Sequence, residues 1–361
     1  MLRSLTEQLS QPGSLSNEQV GLAVAELINE NVLAEVKADF LTALARKGET
    51  IEEIAAFARE LRARSIQPVL DAETRSREIV DVCGTGGDRL NTFNISTTVA
   101  LIVASGGVTV AKHGNRAITS QAGSADVLEA LGVRIDLTPD EAARSLQKHG
   151  FAFFFAPNYH PAFRYLGPAR KLCAGRGQRT IFNFLGPLLN PARPTAQLVG
   201  VPRPQLCEPI ARVLQSLGVR RGMVVSGRVE PETDNPMTAG SETGVFLDEL
   251  STLGQNTIAE FYQDRGFTTS VLAPGNFPLQ PVVLGDLAGS DRTANAEIVI
   301  QLLKGRERGP KRDATLLNAG AALFVAGMVK SVSEGWNLAA ELIDSGKALA
   351  KLESLSRSLK K

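Results

Sequence analysis

The sequence has 361 residues, a length that predicts two domains or one large domain with a smaller companion. Apolar residues make up 43% and charged residues 21%, an ordinary composition for a folded protein that excludes wholesale disorder. The 39 basic and 38 acidic side chains give a net charge of +1, without the basic excess of proteins that bind nucleic acid or anionic membranes. We therefore expect neither a nucleic-acid nor a membrane partner.

The three cysteines, Cys83, Cys173 and Cys207, are odd in number and none has CxxC spacing. This pattern disfavours a disulfide framework or a cysteine-ligated zinc site, and it favours a reducing compartment. No apolar run reaches the roughly 18 residues of a membrane span, and the first residues lack the apolar stretch of a signal peptide. The expectation is a soluble, cytoplasmic enzyme.

The first 76 residues carry helical patterns. Ser16 with Gln19 and Thr50 with Glu53 have the spacing of capping boxes, and apolar residues recur at helical spacing beside them. This segment predicts a small helical bundle.

The pattern changes near residue 75, where short β-branched runs begin to alternate with helical segments. Such alternation predicts a mostly parallel sheet covered by helices. Residues 161–190 return to a helical pattern punctuated by Gly-Pro pairs, and the polar residues 230–244 predict a loop. The predicted strands cover 78–84, 108–111, 151–156, 197–201 and 222–226, and the later helices cover 98–104, 125–131, a start at 138–141, 313–329 and 336–352.

Three polar segments follow predicted strands. Cys83–Asp88 (CGTGGD) has the glycines that let backbone N–H groups approach a phosphate, although a tight turn without a ligand fits it too. Thr92–Thr97 (TFNIST) suits either a helix cap or contacts to phosphate and metal-bound water. Lys112–Arg116 (KHGNR), followed by the helix start at 120–126, suits either anion binding or a solvated basic loop. Such loops converge at the carboxyl ends of parallel strands, so we expect a small, heavily phosphorylated ligand with Mg²⁺.

Four further side chains are candidates for a site. Arg170 could pair with a ligand carboxylate or form a surface salt bridge, and His160 lies in the same helical return. The adjacent acids Asp248 and Glu249 could hold Mg²⁺ or form an exposed acidic pair. The sequence shows no Ser-His-Asp arrangement, no HExxH motif and no activated cysteine, so we assign no covalent or strong acid–base catalyst.

Taken together, these segments resemble the anthranilate phosphoribosyltransferase family, in the family's order and from about Asp39 to Glu353. The resemblance implies an α/β fold with a small all-helical domain and a larger α/β domain, whose central, mostly parallel sheet is flanked by helices. It implies a helical domain of residues 1–76 with the return segment 161–190, an α/β domain of 77–160 and 191–361, and a homodimer formed through the helical domain. The matching segments are DFLTALARKGETIEEIA, DVCGTGGD, TFNIST, KHGNR, GSADVLEALG, YHPAF, GPARK, RTIFNFLGPLLNP, LDELST, KRDATLLNAGAALFVAG and DSGKALAKLE.

The activity implied by this resemblance is a glycosyltransferase (pentosyltransferase) step of tryptophan biosynthesis. The family transfers a phosphoribosyl group from phosphoribosyl pyrophosphate (PRPP) to the amine of anthranilate, with Mg²⁺, and releases pyrophosphate. The positions that match PRPP contacts are Gly84, Thr85, Gly87, Asp88, Thr92, Asn94, Ser96, Thr97, Lys112 and Ser124. Those that match the anthranilate site are Gly84, Asn115 and Arg170, with His113 and His160 nearby, and those that match metal ligands are Ser96, Asp248 and Glu249.

The chain departs from the family pattern at several positions. Arg89 stands where the family often has Gly, and Ala117, Gln121 and Ala122 stand where it favours hydroxyl residues and Lys. Residues 230–244 resemble an insertion before the acidic pair, and a shorter insertion lies near 174–178. These departures affect the expected choice of acceptor more than the expected binding of PRPP.

Three alternative functions remain open at this point. A pyrimidine nucleoside phosphorylase shares the fold, but the paired acids and Arg170 disfavour it. A phosphoribosyltransferase for another aromatic amine would fit the departures just described. A non-catalytic paralogue that binds nucleic acid would show eroded motifs and a basic surface.

Overall fold

The structure is a computed structural model that describes residues 1–117, 121–230, 244–263 and 266–358. The chain begins with a group of helices, and the capping boxes predicted at Ser16 and Thr50 are both formed. No helix within the described ranges is long and apolar enough to cross a membrane. The N-terminal helices are α1 (Leu2–Gln8), α2 (Asn17–Leu27), α3 (Ala34–Lys47), α4 (Ile51–Ala63) and α5 (Ala72–Ser76).

A single sheet follows, and its first five strands in space are parallel, as expected. The strands are β1 (Ile79–Gly84), β2 (Thr109–Gly114), β3 (Phe151–Phe155), β4 (Ala196–Gly200), β5 (Arg221–Val229), β6 (Val245–Leu247), β7 (Asn256–Tyr262) and β8 (Gly266–Leu272). Their order is β3-β2-β1-β4-β5-β7-β8, and β6 pairs with β5. The pairings of β5 with β6, β5 with β7 and β7 with β8 are antiparallel, an extension that the sequence patterns did not predict.

The remaining helices cover the sheet or return to the N-terminal group. They are α6 (Ile95–Ser105), α7 (Ser124–Ala130), α8 (Pro139–His149), α9 (Ala156–Tyr159), α10 (Gly167–Gly175), α11 (Cys207–Ser216), α12 (Arg292–Leu303), α13 (Pro310–Val325), α14 (Val332–Asp344) and α15 (Lys347–Ser358). The single helix predicted over 336–352 is wrong, because Gly346, at φ 76°, separates α14 from α15. The loop predicted for 230–244 falls largely on 231–243, which lie outside the described residues.

The return segment 161–190 is less helical than expected. It contains α10 and three 3-10 turns, Pro161–Leu166, Ile181–Asn183 and Gly186–Leu189. The segment packs on the N-terminal helices: Lys37 on α3 donates to the Tyr165 carbonyl at 3.0 Å, and the buried Cys173 thiol lies 3.6 Å from the Ala38 carbonyl. This packing holds Arg170, on α10, across from the carboxyl ends of the strands.

Candidate active site

A cleft of about 400 Å³ opens at the carboxyl ends of β1 and β2. The three polar loops predicted from the sequence meet there, together with α10 and the acidic pair. The predicted residues that line the cleft are Gly84, Thr85, Gly87, Asp88, Thr92, Asn94, Ser96, Thr97, Lys112, His113, Asn115, Ser124, Arg170, Asp248 and Glu249. Ala117 and Ala122, two of the departures, also line it.

Two features shape the glycine loop after β1: its backbone lies close to β4 and to Asp248, and two of its glycines adopt left-handed backbone conformations. Gly86 and Gly87 have φ of 76° and 91°, a region that side chains with a β-carbon rarely adopt. The Thr85 N–H donates to the Gly200 carbonyl at 2.9 Å, and the Gly86 N–H donates to Oδ2 of Asp248 at 2.5 Å. The loop is therefore anchored to β4 and to the acidic pair.

The start of α6 does not use Asn94 as a capping side chain, contrary to one of the two predictions for this segment. Asn94 instead donates through Nδ2 to the Ala122 carbonyl at 3.2 Å and accepts from Asn295 at 2.9 Å. The buried Oγ1 of Thr97, on the cleft wall, has no hydrogen-bond partner in the part of the chain that the structure describes. A buried hydroxyl without a partner is costly, so this atom is suited to a ligand.

Lys112 supplies a buried cation at the floor of the cleft. Its Nζ donates to the Val82 carbonyl at 2.8 Å and to Oγ of Ser96 at 3.2 Å. Burial lowers the pKa of Lys112, while the neighbouring Asp81 and Glu249 carboxylates oppose that shift. The ammonium group therefore joins the β2 end to the start of α6 at the point where anions are expected.

The acidic pair is buried, so the alternative of an exposed pair is wrong. Burial raises the pKa of Glu249 to about 8. Burial, together with the neighbouring Asp88 and Glu249 carboxylates, raises the pKa of Asp248 well above its usual range. Buried carboxylates that repel one another are stabilised in their ionised form by a cation.

The donor set fits Mg²⁺. Carboxylate and hydroxyl oxygens are hard ligands, and Ser96 lies on the same cleft wall as Asp248 and Glu249. Within the described ranges no three acidic, histidine or cysteine side chains are arranged to hold a metal alone. Mg²⁺ is commonly bound by one or two carboxylates together with waters and substrate phosphates, and Asp248 and Glu249 offer two such carboxylates.

The loop between β2 and α7 is held closed by Asp126. Its Oδ2 accepts from the Ala117 N–H at 2.9 Å and from the Gly123 N–H at 3.0 Å, so it ties together both ends of the loop. Its Oδ1 accepts from Arg116 at 2.9 Å, and Arg116 also pairs with Glu129. The Arg116 guanidinium is thus paired with two carboxylates of α7, although it also lines the cleft.

Arg170 faces the cleft from the opposite side. Its guanidinium lies 5.7 Å from the centre of the Phe182 ring and forms no salt bridge within the described residues, contrary to the surface-pair alternative. Burial lowers the pKa of Arg170. Phe182 and Asn183 also line this wall. Sequence reasoning missed both, because nothing in the RTIFN segment separates a cleft aromatic from a core aromatic.

The two histidines predicted near this wall occupy different places. His113 lines the cleft, and its Nδ1 lies 3.3 Å from the Gly186 carbonyl. His160 is buried behind His113, and the centres of the two imidazole rings are 5.6 Å apart. His160 therefore does not itself line the cleft but lies directly behind His113. Burial lowers the pKa of His113 to about 3 and that of His160 to about 4, so both rings are neutral at physiological pH.

Comparison with known proteins places this geometry in a family. Residues 3–65 match the helical bundle domain of a glycosyl transferase family, and residues 76–349 match the a/b domain of that family. An anthranilate phosphoribosyltransferase of Geobacter sulfurreducens is 44% identical over 94% of this chain and 95% of its own. The chain belongs to the anthranilate phosphoribosyltransferase family. It is therefore a pentosyltransferase of the glycosyltransferase class.

Other family members agree in sequence and in structure. The enzyme of Lacticaseibacillus casei is 42% identical, with 98% of this chain and 96% of the relative covered. The crystal structure of anthranilate phosphoribosyltransferase from Thermus thermophilus superposes with a TM-score of 0.85 at 38% identity, over 99% of both chains. The Saccharomyces cerevisiae enzyme, solved in complex with PRPP and Mg, gives 0.84 at 27% identity over 99% of this chain and 98% of the other.

Proposed function

We propose that this protein transfers the phosphoribosyl group of PRPP to the amine of anthranilate, releasing pyrophosphate, as a step of tryptophan biosynthesis. The observation that carries the proposal is that one cleft has two walls of different chemical character. One wall presents backbone N–H groups, Lys112 and buried acids, which suit a polyphosphate with Mg²⁺. The other presents Arg170 over Phe182, which suits an aromatic carboxylate. The neighbour from Saccharomyces cerevisiae has been solved with PRPP and Mg and with 4-fluoroanthranilate.

The PRPP end of the cleft is assigned to the loops after β1 and β2 and to the start of α6. The glycine loop brings backbone N–H groups close to an anion, and Lys112 neutralises charge as pyrophosphate leaves. The unpartnered Thr97 hydroxyl donates to a phosphate oxygen. The full set of proposed PRPP contacts is Gly84, Thr85, Gly87, Asp88, Thr92, Asn94, Ser96, Thr97, Lys112 and Ser124.

Mg²⁺ would be held by Ser96 and by the Asp248–Glu249 pair, where it would neutralise charge on the leaving pyrophosphate. The requirement for the ion is part of the proposal. It is supported by the raised pKa values of Asp248 and Glu249, which burial produces and which a bound cation would reverse.

The acceptor end of the cleft orients anthranilate and does not activate its amine. The anthranilate amine is an aromatic amine, already neutral and nucleophilic, so the cleft requires no strong base. Arg170 holds the carboxylate and Asn115 lies nearby, which aims the amine at the anomeric carbon. Positive charge then develops on the ribose ring as the bond to pyrophosphate breaks, the amine bond forms, and the amine proton leaves to solvent.

The assembly and location of the protein belong to the same proposal. We assign residues 1–76 and 161–190 to a helical domain, and 77–160 and 191–361 to an α/β domain. The contacts of Lys37 with Tyr165 and of Cys173 with Ala38 support the first grouping. A homodimer formed through the helical domain and a cytoplasmic location complete the proposal, and sedimentation of the purified chain tests the dimer.

The activity is tested by following anthranilate fluorescence in purified protein with PRPP and Mg²⁺ together, and then with each omitted. We expect the signal to fall only when both are present. No fall in a protein that still binds PRPP would identify another acceptor amine. A protein that neither reduces the signal nor binds PRPP would contradict the proposal and favour a non-catalytic paralogue.

A further inference from the structure

A second cavity of about 400 Å³ lies on the other side of the glycine loop. We name it the outer pocket and define it by Arg89, Arg179, Arg203, Thr180 and Glu49. It shares a wall with the active-site cleft. The residues that line both cavities are Thr85, Gly86, Gly87, Arg89 and Asn183.

We propose that the outer pocket is a second anion site, separate from the PRPP cleft, that binds inorganic pyrophosphate. This inference rests on the proposed function, because pyrophosphate is the product released on the cleft side of the same loop. The pocket lies where the helical return segment faces the loops after β1 and β4, and ligand sites commonly form between such units.

Charge is the first observation that carries the proposal. Arg89, Arg179 and Arg203 all line the outer pocket, and none forms a salt bridge with a carboxylate in the described part of the chain. Partial burial together with Arg203 and Arg89 lowers the pKa of Arg179, so the three guanidinium groups repel one another. Glu49 is the acidic side chain on this wall. It is not paired with any of the three arginines, and burial raises its pKa.

Backbone conformation is the second, independent observation. Arg89 has φ of 62°, in the left-handed region that a non-glycine residue adopts only at a cost. Local strain of this kind is retained where the surrounding structure uses the residue. Here it places an arginine, rather than a glycine, on the wall between the two cavities.

The chemistry of the pocket selects the ligand. Guanidinium groups bind phosphate oxygens in pairs, and three of them around one cavity match a compact anion of several charges. Pyrophosphate has that charge and is formed beside the shared glycine-loop wall. Bound there, it would leave the cleft free for the next PRPP.

The test is calorimetric titration of the full-length protein with inorganic pyrophosphate in the presence of Mg²⁺. The wild type should bind two pyrophosphates per chain. The double variant Arg179→Gln/Arg203→Gln, whose side chains lie outside the PRPP cleft, should bind one. Its KM for PRPP should stay within about twofold of wild type, because the cleft residues are unchanged.

The matched control is Arg144→Gln/Arg306→Gln, which removes the same charge from two exposed positions away from both cavities. It should keep two sites, which separates a local effect from a change in net charge. If the double variant shows no thermal unfolding transition, and so is not folded, the single variant Arg203→Gln, at an exposed position, takes its place. It should lower the affinity of the outer pocket for pyrophosphate at least tenfold.

The inference is overturned if wild type binds a single pyrophosphate, or if the arginine variant and the control bind equally. Turnover of anthranilate is measured on the same samples. A wild type that turns over but binds one pyrophosphate contradicts only the outer pocket. A wild type without turnover contradicts the proposed function, while its pyrophosphate stoichiometry still decides this inference.

Discussion

Gly84 and Asp248 approach so closely that a β-carbon on residue 84 would overlap the Asp248 carboxylate. One residue ends β1, and the other follows the short strand β6. The Gly86 N–H donates to the same carboxylate at 2.5 Å. The glycine loop and the acidic pair therefore form one unit, in which the position of the proposed metal ligand depends on the loop backbone.

Gly84→Ala tests this unit. The new methyl group would displace the Asp248 side chain, so we expect kcat/KM for PRPP to fall about a hundredfold, or about 2.7 kcal/mol of transition-state stabilisation. Steady-state kinetics at saturating anthranilate measures the fall. Gly275→Ala is the control, because a β-carbon there meets nothing within 4 Å. Equal rates for the two variants would show that the contact has no role in activity.

Removal of the acidic pair should weaken the dependence on Mg²⁺. Asp248→Asn with Glu249→Gln keeps the size of both buried side chains but removes the carboxylate groups that would hold the cation. We expect the Mg²⁺ concentration for half-maximal rate to rise at least tenfold, because neutral amides are poorer ligands for a hard cation. A magnesium titration of initial rate measures it. If the Mg²⁺ concentration for half-maximal rate does not change, the acidic pair has a structural role and does not bind the metal.

Arg170→Ala should affect the acceptor and spare PRPP. Loss of a charge-assisted hydrogen bond costs about 1.5–3 kcal/mol, so the KM for anthranilate should rise about tenfold to a hundredfold. The KM for PRPP should change little. Arg164→Ala, an exposed arginine of the preceding 3-10 turn, is the control. An unchanged anthranilate KM would remove Arg170 from that role.

Asp126→Asn should loosen the loop between β2 and α7. One oxygen of Asp126 accepts from the Ala117 and Gly123 N–H groups, and an amide cannot replace both acceptors and the bond to Arg116. We expect the KM for PRPP to rise about tenfold with a smaller change in kcat, because losing such bonds costs about 1.5 kcal/mol. The control Glu129→Gln contacts Arg116 without touching the loop backbone. If both variants behave alike, the ion pair rather than the backbone bonds matters.

Stability should fall in acid because His160 is buried and neutral. Its pKa is lowered to about 4, so the unfolded chain binds more protons than the folded chain below about pH 6.5. The stabilising contribution is present above that pH and is lost as the pH falls toward the folded value. His160→Gln keeps a donor for the Leu189 carbonyl. The loss of unfolding free energy from about pH 6.5 to about pH 4.5 should then be about 2 kcal/mol smaller, as measured by urea unfolding.

Local patterns predicted local structure well. The capping boxes at Ser16 and Thr50 and the helix start at Thr138 could be predicted because they depend on residues three apart in the chain. The parallel strands were readable because each is a short apolar run followed by a glycine or polar loop. The break at Gly346 was missed, since a glycine inside a helical pattern is compatible with either continuation or an end.

Most of the residues that line the cleft were also predictable from the sequence. The glycine loop follows β1 and Lys112 lies near the carboxyl end of β2, and neighbouring parallel strands bring such ends together by topology. The acids at 248 and 249 instead follow β6, which is antiparallel to β5. Sequence order alone could not show that Arg116 would be paired by Asp126, or that His160 would be buried behind His113. These outcomes depend on where helix starts and neighbouring rings pack.

The family, the mostly parallel sheet and the glycine-rich and basic composition of the loops were determined by the amino-acid sequence, because they follow from residue types at short spacing. The antiparallel strands β7 and β8, the burial of the acidic pair and the outer pocket were decided only by the tertiary structure. Burial and the convergence of charges depend on contacts between segments far apart in the chain. Local periodicity does not show which distant segments of the chain will be in contact.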